Sequence, residues 1–88
     1  MNEVIDELRD QIDQCDDQIM KALDRRLEIV KQVAKYKEEH QLPIRQPKRM
    51  TELTDRLIKQ YSNDNLSPVL IKKLYQLIMD YAIELEQK

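Results

Sequence analysis

Four cations are spaced so that they could grip a small anion: Arg9, Arg26, Lys37 and Arg49. Arg26 and Lys37 are three helical turns apart, so on one helix they stand nearly in line at about 16 Å. A guanidinium binds a carboxylate in a fixed two-point geometry, whereas a lysine acts as a point charge. A small dianion can sit between Arg26 and Lys37 if other cations close the gap. Such a set suits a reaction that needs positioning and electrostatic stabilisation without acid–base relays. Other chemistries lack their residues. There is no glycine-rich phosphate loop and no Cys/His metal set, and the one histidine, His40, reads as a loop residue. Covalent and metal catalysis have little to work with.

The element that must position these cations is the first long amphipathic stretch, Glu3 to His40. Its apolar residues Ile5, Leu8, Ile12, Cys15, Ile19, Ala22, Val30 and Val33 follow the three-and-four spacing of a helix with one stripe. Arg26 falls where the next apolar residue is due, and Lys37 lies one step past Val33. Burying a lone cation is costly. Either both side chains escape to water, or something anionic meets them inside. Arg9 lies on the edge of the stripe, beside Leu8 and Ile12, where a surface arginine is the simpler reading. A helix this long measures about 55 Å, whereas a compact globule of this size has a radius of gyration near ~12 Å. The chain cannot wrap it alone, so a second copy is expected, most simply as a two-fold dimer.

The rest of the chain reads as two shorter helices. Asn2 caps the first helix, which should fray after Lys37, and Pro43 turns Leu42 away from helical geometry. Pro47 suits the first position of a second helix, with Met50, Leu53, Leu57 and Tyr61 on its apolar face. Arg45, Lys48 and Arg49 stand at its start, either as tolerated exposed charge or as part of an anion site. Ser62 to Asn65 is a turn by composition, and Ser67 with Pro68 opens a third helix that runs to about Gln87. Leu70, Leu74, Leu77, Ile78, Tyr81 and Leu85 are expected to face inward. Zero Gly, three Pro, and no Phe or Trp in 88 residues predict an all-α chain in one domain, 1–88.

Charged residues make up 36% of the chain, yet the net charge is −2. That balance gives no general case for nucleic acid or acidic membranes as partners. Cys15 on the apolar stripe reads as a small buried thiol. No apolar run has the length of a signal peptide or a bilayer span, which makes the cytoplasm the default setting.

The run Leu8-Arg9-Asp10-Gln11-Ile12-Asp13, then Asp16, Arg25-Arg26, Val33-Ala34-Lys35-Tyr36-Lys37, Pro43-Ile44-Arg45 and Arg49 resembles the all-α chorismate mutases. Leu74-Tyr75-Gln76-Leu77-Ile78 extends the match, so it spans essentially the whole chain. The resemblance implies three helices per chain, one long and two shorter, in an intertwined helical homodimer with two equal active sites. It implies that Arg9 of one subunit completes the site of the other, while Arg26, Lys37 and Arg49 come from one chain. These groups would hold the two carboxylates of chorismate, a small dicarboxylate, in a compact form. Lys37 would stabilise charge developing on the ether oxygen as a Claisen rearrangement gives prephenate, at the branch toward phenylalanine and tyrosine. No cofactor takes part. Val33, Met79 and Ile83 match positions that pack against the substrate ring.

Four matched positions differ from the family pattern. Gln46 and Met50 replace an aspartate and a glutamate associated with the loop and the ring hydroxyl. Ala82 replaces a serine. Glu86 replaces the glutamine that donates to the ether oxygen, and must carry a proton to do the same. Met50 cannot read a hydroxyl. The related isochorismate-pyruvate lyases and aminodeoxychorismate mutases therefore stay open, as does a non-catalytic helical dimerisation module. The expected site is Arg9, Arg26, Lys37, Gln46, Arg49, Met50, Val33, Ala82 and Glu86, with Arg26, Lys37 and Glu86 at the chemistry.

Overall fold

The computed structural model describes residues 2–87; the two end residues of the expected 1–88 domain lie outside that range. The described residues form three helices and no strand: α1 (Glu3–Glu39), α2 (Pro47–Tyr61) and α3 (Pro68–Glu86). Local chemistry sets their ends. The Asn2 side chain accepts from the Ile5 amide at 3.2 Å, and Ser67 Oγ accepts from the Leu70 amide at 3.0 Å. Pro47 and Pro68 open α2 and α3, where a missing N–H leaves nothing unpaired. Asn63 folds the connecting turn by accepting from the amides of Asn65 and Leu66.

The end of α1 lies two residues beyond the expected fraying point. Gln41 takes a left-handed φ of 54°. Its amide donates to the Glu38 carbonyl at 3.3 Å, and the Leu42 amide donates to the Lys37 carbonyl at 2.8 Å. These are the paired bonds of a Schellman closure, with glutamine in a position that favours glycine. The closure stops fraying and brings the next loop back over Lys37.

α3 packs against both α1 and α2, while α1 and α2 do not pack on each other. α3 runs in the same direction as α1 at a constant offset, with Tyr75 beside Arg26 and Glu86 beside Lys37. Its buried residues are Ile71, Met79, Ala82 and Ile83, and these are the whole core of the described chain.

Two expectations change here. Leu70, Leu74, Leu77 and Tyr81 are exposed rather than inward. α3 is apolar on two faces, and only the face around Met79 and Ile83 meets α1 and α2. Tyr61 and Cys15 are also exposed. The apolar stripe of α1 is uncovered for much of its length: every residue from 2 to 22 is exposed, and α1 has no buried residue. The chain is 59 Å long with a radius of gyration of 16.7 Å, well above the ~12 Å of a compact globule. Among the described residues, no helix is long and apolar enough to cross a membrane.

Candidate active site

Each helix turns one face toward a common cavity of about 330 Å³. α1 supplies Arg26, Ile29, Val30, Val33 and Lys37; α2 supplies Arg49, Met50 and Leu53, with Gln46 at its cap; α3 supplies Met79, Ala82, Ile83 and Glu86. In each case the spacing is that of one helix face, which is why three separate segments can line one cavity. Eight of the nine expected site residues meet there. Arg9 does not: it is exposed on α1, near the opposite end of the helix from Lys37. Along the helix it lies about 26 Å from Arg26, beyond the reach of any side chain.

The two misplaced cations of the apolar stripe have different surroundings. Lys37 Nζ donates to the Ile44 carbonyl at 2.9 Å and pairs with Glu86 Oε2 at 3.5 Å. The two side chains are 14% and 8% exposed, so this pair is largely removed from water. Here the expected internal anion is a residue of α3. Arg26 has no such partner. Its Nη1 is buried and bonds to nothing among the described residues. The centroid of the Tyr75 ring lies 5.8 Å from its Cζ.

The charge run at the start of α2 is also resolved. All three cations are exposed, but only Arg49 lines the cavity; Arg45 and Lys48 do not. Arg26, Lys37 and Arg49 make the lining cationic, with Glu86 its one carboxylate. The remaining walls are apolar apart from Gln46, an amide that both donates and accepts. A cationic cavity with apolar walls has the chemistry to accept a small anion with an apolar body. His40 lies outside it, with Nδ1 2.9 Å from the Tyr36 carbonyl and its ring stacked on Tyr36.

Sequence reasoning did not single out Ile44, Ile29, Val30 or Leu53 as parts of the cavity. Val30 and Leu53 are legible as apolar-face residues. The Ile44 contact is made by a backbone carbonyl, which has no sequence signal.

The model of the family "Chorismate mutase type II" matches residues 8–87. A chorismate mutase of Methanocaldococcus jannaschii is 28% identical over 88 residues, covering 100% of this chain and 89% of that protein. A 4-amino-4-deoxychorismate mutase of Streptomyces pristinaespiralis is 27% identical over 96% of this chain, which spans 65% of that protein's length. Among solved structures, chorismate mutase form II of Thermus thermophilus superposes with a TM-score of 0.92 at 27% identity, covering 98% of this chain and 97% of that one. The Helicobacter pylori chorismate mutase in complex with prephenate gives 0.86 at 29% identity, covering 98% and 92%. The chain belongs to the chorismate mutase type II family.

Proposed function

We propose that the chain is a chorismate mutase, an isomerase that converts chorismate to prephenate without a cofactor. The observation that carries this reading is the cavity: three cations and one carboxylate around an otherwise apolar space of about 330 Å³. Chorismate is a dianion with an apolar ring, and the three cations of the lining complement it. Arg26 and Arg49 bind the carboxylates. This holds the flexible ether side chain over the ring, so that the ends that must join are close. The ether C–O bond then breaks as the new C–C bond forms, with no atom gained or lost. Negative charge grows on the ether oxygen in the transition state. Lys37 stabilises it, and Glu86, when protonated, donates to the same oxygen. Val33, Met50, Ala82, Met79 and Ile83 enclose the ring, and Gln46 addresses its polar substituent.

The working unit in this reading is an intertwined homodimer, with Arg9 of a second copy completing each site. Support comes from the uncovered stripe of α1 and from a nearly apolar groove of about 680 Å³ between α1 and α3. Ile19, Met20, Leu23, Leu27, Leu74 and Leu77 line that groove. Exposed apolar surface on this scale marks an interface. Light scattering should give twice the 10.6 kDa of one chain. The setting would be the cytoplasm, in aromatic amino acid biosynthesis.

Incubation with chorismate, isochorismate and 4-amino-4-deoxychorismate separately tests the substrate. Chorismate should yield prephenate. An amino substituent that carries positive charge finds no free carboxylate here, because Glu86 already faces Lys37. Met50 in the cavity wall favours one second reading, an isochorismate-pyruvate lyase. Salicylate from isochorismate, with chorismate unchanged, would establish that reading instead.

A further inference from the structure

The two stripe cations of α1 are each met by a residue of α3 at the same offset, and the two residues differ in kind. Lys37 faces the Glu86 carboxylate. Arg26 faces the ring of Tyr75, with Cζ 5.8 Å from the ring centroid. Arg26 lines both the cavity and the apolar groove, whereas Tyr75 lines the groove alone. The ring is therefore not part of the cavity wall but meets Arg26 from the groove.

A guanidinium whose Nη1 is sealed from water with no partner needs some compensation. A carboxylate would supply it, but would also compete with the incoming anion. An aromatic face attracts the cation through its quadrupole and occupies none of the in-plane N–H donors. We propose that Tyr75 is a positioning residue, which holds the Arg26 guanidinium in place and free of a competing anion for the substrate carboxylate. This rests on the mutase reading of the cavity.

The test is a set of synthetic 88-residue chains in which Tyr75 is replaced by phenylalanine and by phenylalanines of increasing ring fluorination. The shape is nearly kept, while the negative face of the ring is withdrawn step by step. Melting temperature and dimer mass are checked for each chain. The phenylalanine chain should stay near the wild type. Across the fluorinated series, KM for chorismate and Kd for prephenate should rise together, reaching about 5- to 30-fold for the strongest withdrawal. The turnover number should change much less, because the contact serves substrate and transition state alike. A purely structural tyrosine would shift the melting temperature without this graded loss of affinity. If wild type turns over chorismate and the series is flat, Tyr75 has no such role. A wild type inert toward chorismate would instead overturn the mutase reading itself.

Discussion

Arg26→Met separates a catalytic cation from a structural one, because the two roles predict opposite signs. Methionine keeps most of the aliphatic stem and removes the charge. The buried, unpartnered Nη1 is a group whose desolvation costs about 1–3 kcal/mol when unpaired. Against this stands the attraction to the Tyr75 ring, about 0.5–2 kcal/mol in such settings. The balance favours the variant by about 1 kcal/mol. For a chain of this length, that shift raises Tm by about 5 °C. Activity should move the other way. Removing one charged donor aimed at developing or bound charge costs about 100-fold or more in kcat/KM. The assays are thermal melting and the rate of prephenate formation from chorismate. A variant that keeps turnover within about tenfold of wild type would show that the cavity cation does not hold the substrate. A fall in Tm would show that the buried guanidinium is compensated by contacts beyond the Tyr75 ring.

Three further outcomes are expected. In the proposed homodimer, mixing unfolded Arg9→Ala and Arg26→Met chains and refolding them together should restore about a quarter of wild-type activity, since half such dimers are mixed and each carries one intact site; no recovery would place Arg9 outside its partner's site. Glu86 faces Lys37 from α1, with Arg49 of α2 lining the same cavity, and its carboxyl donates only when protonated. Glu86→Gln keeps a donor that needs no added proton and should hold or raise kcat/KM, whereas Glu86→Ala should lower it by about tenfold or more; an unchanged rate in the alanine variant would remove Glu86 from the chemistry. Gln41→Gly relieves the left-handed φ of 54° and should stabilise by about 0.5–1 kcal/mol, raising Tm by roughly 3–5 °C; an unchanged or lower Tm would mean that the Schellman turn carries no strain.

Local signals account for what was legible early. Asn2, Pro47, Ser67 and Pro68 act within one turn of themselves, and all four begin helices where they were expected to. The alignment of Arg26 with Lys37 needs only helical geometry, and both line the cavity. The faces of α3 were harder. Periodicity marks Leu70, Leu74, Leu77 and Tyr81 as apolar, yet they are exposed, while Ile71, Met79, Ala82 and Ile83 form the core. A helix with two apolar faces does not reveal which one its own chain covers. Cys15 carries the same lesson, since a place on the apolar stripe does not say what lies opposite it.

The sequence by itself determined that the chain is three helices, where they begin, and that a row of cations stands on an apolar stripe. These are consequences of backbone capping and the 3.6-residue turn, which act over a few neighbouring positions. Tertiary structure decided what Arg26 and Lys37 touch. Glu86 reaches Lys37 from 49 residues away, and the Ile44 carbonyl reaches it from the loop. Arg26 is left with an aromatic face and no anion. Those pairings depend on how α3 lies along α1, and that follows from burying Met79 and Ile83 rather than from the charges themselves.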